Sequence, residues 1–359
     1  MQVAFTVEQF WHEVPGGTGV STLRLARELM DISGVELTFV AGRHRRPPVA
    51  GFVPPGPVRM LPIARPLLYE TWLRFGWPRV EAATGAVDLV HATAGIPAAT
   101  RQPQVVTLHD VAFLRRPDRL TRHGARVLTR AVEKAHEATI VCCPSESVRR
   151  DLIEFGFAPD RVATVPWGVD HVDITEADIA VVRASMALPD RFILAVATLE
   201  PRKNLHRLID AVSRLEQPIP LVVAGADGWG GVSEALRSNS SAVDVRFLGH
   251  VDSSRLPALL AAADLLVYPS EEEGFGLPVL EAMAVGTAVV TSLGTATEDV
   301  AGSAAVLVDP FDVDDIARGI AEGLDRNEEL SAAGLRRAAE FSWSASARAM
   351  VEVYQRALS

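Results

Sequence analysis

Short apolar runs alternate with amphipathic stretches along almost the whole chain. The run "QVAFTV" leads through a glycine turn into "GVSTLRLARELMDI", whose apolar positions recur at helical spacing; "VELTFVAG", "DLVHATA", "QVVTLHD" and "ATIVCCPS" follow, with helical segments among them. Strand-length runs separated by helices predict a parallel α/β sheet. After "RVATVPWGVD" the periodicity weakens through "HVDITEADIAVVRASMALPD", and a second series starts with "RFILAVATL", "PLVVAGA", "VRFLGHV", "DLLVYPS", "AVVTS" and "AVLVD". Two doubly wound domains in tandem are expected, 1–170 and 171–344, with the boundary falling between Gly168 and Asp190. The last helix, "SASARAMVEVYQRAL", can pack on either.

Length and composition agree. A chain of 359 residues, 48% hydrophobic and 22% charged, suits two ordinary globular domains with a cleft between them. The formal charge of -10 lies wholly in the second half, because residues 1–180 hold 20 basic and 20 acidic side chains. Such a balance argues against general nucleic-acid binding, which needs a basic face. Basic runs remain at "RHRRPP" from Arg43 and "RRPDRLTRHGARVLTR" from Arg115, read as solvated faces or as contacts to an anionic acceptor or lipid headgroups. The N-terminus opens directly into an apolar strand, so no secretory signal is expected, and "LPALLAAADLLVYP" is too short to span a bilayer. A cytoplasmic protein is expected, with peripheral membrane association open. Cys142 and Cys143, adjacent in a strand-like run, read as structural thiols.

In open parallel sheets ligands bind beyond the carboxyl ends of the strands, and that is where the unusual residues collect. The only lysines are Lys134 and Lys203. In "TLEPRKNL", Arg202 and Lys203 precede an amphipathic helix, offering a diphosphate one planar fork and one compact charge. The alternative, a solvated helix start, places cations where the helix dipole disfavours them. In "PSEEEGFGLPVLEAMAVG", Glu273 sits in the loop beyond a buried strand and Glu281 one turn into the next helix. A carboxylate can hold two neighbouring sugar hydroxyls, while Gly274 and Gly276 let backbone amides approach a ligand. Charges favourable near a helix start are the plainer account.

In "EVPGGTGVSTLRLARELM", Gly16, Gly17 and Gly19 lead into a helix whose amides can meet a phosphate. As a dinucleotide fingerprint it fails: Thr22 stands where a third glycine is needed, and the second strand ends in "AGRHRR" without an acid. His109 and Asp110 end a strand, where a histidine is either structural or placed to bind sugar hydroxyls or an acceptor. The "DVDD" at Asp312 precedes a helix and reads as an N-cap rather than a metal site.

These pieces resemble the retaining GT-B glycosyltransferases of family 4. The resemblance runs in order through "PGGTG", "VVTLHDVAFLRRP", "PSESVRRDL", "VPWGVD", "VATLEPRKNLHRLIDA", "VRFLGHV", the Glu-seven-residues-Glu pattern of "EGFGLPVLE", "VAGSAAVLVDP" and "FSWSASARAMVEVYQRAL", covering nearly the whole chain. It implies two Rossmann-like domains facing an interdomain cleft, with the acceptor on the N-terminal domain and the closing helix, about 345–359, returning to it. Arg202 and Lys203 would bind the donor diphosphate, Glu273 the transferred sugar and Glu281 the ribose. Gly274, Phe275 and Gly276 would offer amides. Gly16, Gly17, Gly19, Val251 and Leu277 complete the implied donor set, and His109 with Asp110 would face sugar and acceptor. Trp167 departs from the smaller or polar residue common there, and "TATEDVAG" lacks the proline usual before its acid.

The implied reaction is metal-independent α-glycosyl transfer with retention, from a sugar nucleotide to a saccharide or glycolipid. The "TLEPRKN" variant resembles a mannosyltransferase-rich subgroup, making GDP-mannose the expected donor, with UDP-glucose or another UDP-sugar next. Trp72, Phe75 and Trp77 either line a sugar-chain groove or pack a helix. An NAD-dependent oxidoreductase and a noncatalytic sugar-nucleotide-binding protein are the competing readings; oligomeric state stays open.

Overall fold

The computed structural model describes residues 1–116, 121–228 and 243–359. Part of the Arg115 basic run and the end of "AGADGWGG" therefore lie outside the described residues. The chain forms two compact units, Met1–Gly168 with Ser342–Ser359, and Val169–Phe341.

In the first unit the strands are β1 (Gln2–Thr6), β2 (Glu36–Ala41), β3 (Val58–Met60), β4 (Leu89–Ala92), β5 (Gln104–Thr107), β6 (Ile140–Cys143) and β7 (Val162–Thr164). All neighbours run parallel in the order β3-β2-β1-β4-β5-β6-β7, so the winding reverses between β1 and β4. Continuous apolar runs suit strands covered on both faces; β4, β5 and β6 are buried at every position. The closing helix Trp343–Leu358 packs its Met350, Val353 and Tyr354 into this unit. Its Tyr354 hydroxyl lies 2.7 Å from His91 Nδ1 in β4, while His91 Nε2 lies 2.7 Å from the Thr107 hydroxyl. A side chain at Gly168 would strike the backbone of Trp343 at 2.2 Å, so glycine is required where the chain passes under that helix.

The second unit holds β8 (Ile193–Val196), β9 (Leu221–Ala224), β10 (Val245–Gly249), β11 (Leu265–Tyr268), β12 (Val289–Ser292) and β13 (Val306–Val308). They are parallel in the order β10-β9-β8-β11-β12-β13, with the reversal between β8 and β11. Ile193, Leu194, Leu265, Leu266 and Val267 are fully buried at its centre.

Several plain readings hold. Asp312 caps the helix Val313–Asp325 by accepting from the amides of Asp314 and Asp315 at 2.8 and 3.2 Å. Trp72 is buried and donates its indole N–H to the Pro78 carbonyl at 2.8 Å, as helix packing requires, whereas Phe75 and Trp77 are exposed. Both cysteines are free and buried, and burial pushes the Cys143 thiol up to about 12. Arg115 is tied to Asp151 and Glu154. Among the described residues no helix is long and apolar enough to cross a membrane.

Candidate active site

The loops beyond β8 and β11 bring the cation pair and the acidic stretch together. After β8 the chain makes a short 3-10 turn, Pro201–Lys203, and enters the helix Leu205–Val212. Asn204 joins the two in a left-handed conformation, φ 60°, and is fully buried. Its side-chain amide donates to the carbonyls of Pro269 at 2.9 Å and Pro310 at 2.6 Å, tying three loops to one point. Lys203 Nζ donates to Glu273 Oε1 at 2.5 Å and to the Tyr268 hydroxyl at 2.6 Å; Tyr268 donates to the same carboxylate oxygen at 2.9 Å. Arg202 lies 3.1 Å from Glu273 Oε2 and 2.7 Å from Glu200 Oε1. Arg207 pairs with Glu271 at 2.8 Å, steadying the start of the acidic loop.

Read from sequence, Arg202, Lys203 and Glu273 are separate ligand contacts. In the structure they form one cluster, buried at Lys203 and Glu273 and partly exposed at Arg202, whose two cations face the two carboxylates of Glu200 and Glu273. The side chains of Lys203 and Glu273 are 9% and 8% exposed, so pairing is obligatory. Burial pulls Lys203 below its ordinary range, opposed by the Glu273 charge. For Glu273 burial works upward, but Lys203 and Arg202 prevail and bring its carboxyl down to about 2. Burial pushes Glu200 up against the pull of the same cations. Glu200, Asn204 and Tyr268 are the members that sequence reasoning missed. Asn204 had a signal, standing at the end of a turn where its side chain tolerates a positive φ; Tyr268 reads only as a strand residue.

Beyond Glu273, Gly276 adopts φ 100° and begins the helix Leu277–Ala284, with Pro278 in its first turn and no side-chain cap. Glycine is doubly required at 276: the conformation excludes a side chain, and a Cβ would stand 2.5 Å from Thr297 Cγ2. Phe275 is buried with its ring edge-on to Phe341, and Leu277 is buried too. Val251 lies just past β10 and is partly buried. Glu281 stands one turn along the helix, where burial, reinforced by Asp170, raises its carboxyl to about 7. It is thus electrostatically unlike Glu273.

In the first unit, Gly16, Gly17 and Gly19 form the first turn of the helix Gly16–Met30 rather than a separate turn before it. Pro15 occupies the N-cap and no side chain caps this end, leaving first-turn amides for an anion. Gly19 has another duty. A Cβ there would stand 2.5 Å from Pro15 Cβ and 2.8 Å from Phe52 Cε1. Gly19→Ala is therefore expected to cost about 1–3 kcal/mol of stability, read from urea unfolding without any ligand.

His109 lies past β5, its ring 5.4 Å from that of Trp167. Its Nε2 is 2.7 Å from the Thr93 carbonyl, which can only accept, so Nε2 carries the proton. The buried Nδ1 has no hydrogen-bond partner and presents a lone pair. Burial lowers the pKa of this imidazole and favours the neutral ring. Asp110 beside it is exposed. Among the described residues no three His, Cys, Asp or Glu side chains gather as a metal would require.

Residues 15–172 match the model of Glycosyltransferase Family 4, and residues 183–341 match that of Glycosyl transferases group 1. The O-antigen chain mannosyltransferase B of Escherichia coli is 31% identical over 265 residues, 70% of each chain. The chain belongs to glycosyltransferase family 4. Another relative of this family 4 glycosyltransferase is the serotype-specific mannosyltransferase WbdA of Escherichia coli, 34% identical over 60% of this chain but only 28% of its own length. Anabaena HepE, solved in complex with UDP and glucose, superposes with a TM-score of 0.77 at 21% identity over 99% of both chains. WaaG, a glycosyltransferase involved in lipopolysaccharide biosynthesis, gives 0.72 at 17% identity over 98% of this chain and 99% of its own. The glycosyltransferase shares with them the GT-B fold.

Proposed function

We propose that the protein transfers mannose from GDP-mannose to a hydroxyl of a saccharide or glycolipid acceptor, forming an α linkage with retention of configuration. The observation that carries this reading is the Arg202–Lys203–Glu273 cluster at the β8–β11 reversal, in a chain similar across 70% of its length to a mannosyltransferase. The bond from the sugar's anomeric carbon to the β-phosphate oxygen breaks. The acceptor oxygen bonds to that carbon, and its proton passes to the leaving diphosphate. Arg202 and Lys203, aided by helix-start amides, stabilise the charge that grows on the diphosphate, which requires no resident metal in this reading. Glu273, held ionised by its two cations, accepts hydroxyls of the transferred sugar. Glu281 accepts from the ribose, and the lone pair of His109 Nδ1 meets a hydroxyl of sugar or acceptor. The reaction takes place at the cytoplasmic face of a membrane or in the cytoplasm.

Thermal unfolding with saturating GDP, UDP, GDP-mannose, UDP-glucose and NAD tests this. A ligand at about 100 times its dissociation constant adds about 2.7 kcal/mol to the folded state. Stabilisation by GDP and GDP-mannose alone is expected. A UDP-sugar is the second reading, supported by the likeness to a protein solved with UDP and glucose; selective stabilisation by UDP would establish it in place of the first. Stabilisation by NAD alone would overturn both.

A further inference from the structure

The first sheet reverses its winding between β1 and β4, the place where open parallel sheets bind ligands, and a buried polar network joins the ends of those two strands. Thr6 ends β1 and Thr93 follows β4; both are buried. The Thr93 amide donates to the Thr6 hydroxyl at 3.0 Å, and the Thr93 hydroxyl donates to the Thr6 carbonyl at 2.5 Å. Gln9, fully buried in the 3-10 turn Glu8–Trp11, donates its side-chain amide to the hydroxyls of Thr93 at 2.8 Å and Thr22 at 2.7 Å. Chemistry fixes which way that amide faces. The one hydroxyl proton of Thr93 is committed to a carbonyl, so the group it meets on Gln9 must be the N–H side. The last polar group of Thr93, its carbonyl, accepts from His109 Nε2 at 2.7 Å.

This network steadies an imidazole that packing does not enclose on every side. His109 borders a small cavity that Thr22, Thr93 and Thr107 also line. With its proton on Nε2 a neutral imidazole presents a lone pair at Nδ1; with the proton moved across the ring, Nδ1 donates instead. The Thr93 carbonyl selects the first form, because it can only accept. The direction of that carbonyl depends in turn on the bonds that Thr93 makes to Thr6 and Gln9. Folding alone is better served by apolar residues at both positions. Valine would fill the volume of Thr93, close to the buried Val90 and Ala92, with no hydroxyl to satisfy. The Gln9 Oε1 is buried without a hydrogen-bond partner, an omission that costs about 1–3 kcal/mol. Through Thr22, the same Gln9 side chain also ties His109's support to the helix that starts at Gly16.

We propose that Thr93 and Gln9 are positioning residues for glycosyl transfer, holding the His109 imidazole in the Nε2–H tautomer that leaves Nδ1 to accept. Their effect on turnover rests on the glycosyl-transfer reading above; their effect on the ring does not. Long-range proton–nitrogen NMR of the full chain with nitrogen-labelled histidines reads the tautomer, with His109→Gln assigning the signal. The parent is expected to show the Nε2–H form alone. Thr93→Val and Gln9→Met each give a mixture of tautomers and lower kcat for turnover of GDP-mannose, or of UDP-glucose if that is the donor. The fall is about tenfold, the equivalent of one hydrogen bond, with donor KM within about twofold of the parent. Thr93→Ser, which keeps the hydroxyl, restores both tautomer and kcat. Gln9→Met carries the test should Thr93→Val fail to fold. An Nε2–H ring alone in either variant, a mixed ring with parental kcat, or no restoration by Thr93→Ser overturns the positioning role. Failure of the transfer reading registers separately, as absence of stabilisation by every sugar nucleotide.

Discussion

Lys203→Ala lowers glycosyl transfer by about 10²–10³ fold, the usual effect of deleting one charged donor from developing negative charge. It also costs about 3–5 kcal/mol of stability, because Glu273 and Tyr268 are left buried around a missing cation. The two effects separate in the double variant Lys203→Met with Glu273→Gln. Removing both charges of a buried pair is close to neutral for folding, so its thermal midpoint returns toward the parent while transfer stays low. Wild-type turnover in Lys203→Ala would refute the role in leaving-group stabilisation. Turnover restored with stability in the double variant would reduce Lys203 to a structural counter-ion of Glu273. Arg202→Ala is expected to lose comparable activity with a smaller loss of stability, because Arg202 is 33% exposed.

The second large effect is a dependence on pH set by Glu281. Its carboxyl titrates near 4.5 in the unfolded chain and near 7 when folded, so between those values the folded state holds the extra proton. Stability from this group is fully present below pH 4.5 and is lost as pH rises toward 7, by as much as about 3 kcal/mol. Glu281→Gln should therefore be more stable than the parent at pH 8 and close to it at pH 5. Nucleotide affinity runs the other way. An ionised Glu281 is the better acceptor for ribose hydroxyls, so GDP binding should tighten about tenfold between pH 6 and pH 8 and become flat in Glu281→Gln. Isothermal titration at the two values decides this, and an unchanged slope in the variant would remove Glu281 from the nucleotide site.

The opposed behaviour of these two glutamates shows how much of the site was legible in the chain. Their spacing, the glycines between them and the Arg-Lys pair were all visible as residue types at the ends of strands. Their ionisation was not. Glu273 is held down to about 2 by cations 70 and 71 positions away, and Glu281 is lifted to about 7 by burial and Asp170. No local pattern encodes which charges will be neighbours. Asn204 is a similar case: its place after the cation pair is local, but the carbonyls it ties together lie 65 and 106 residues further on.

The sequence by itself determined the alternation of strands and helices and the two-domain α/β class, through hydrophobic periodicity, and the cap at Asp312, through the residues that open its helix. Each depends on residues a few positions apart, where the 3.6 and 2.0 residue periods apply. It did not reveal β3, whose "VRM" is interrupted by an arginine and stands in no apolar run. Strand order was decided only in the tertiary structure. By setting β8 beside β11, and β1 between β2 and β4, the fold joined distant loops. One junction brought Glu200, Arg202, Lys203 and Glu273 into a single ion cluster that no local motif announced. The reason is physical: burial and charge pairing act through space, and through-space neighbours exist only once the chain has chosen its topology.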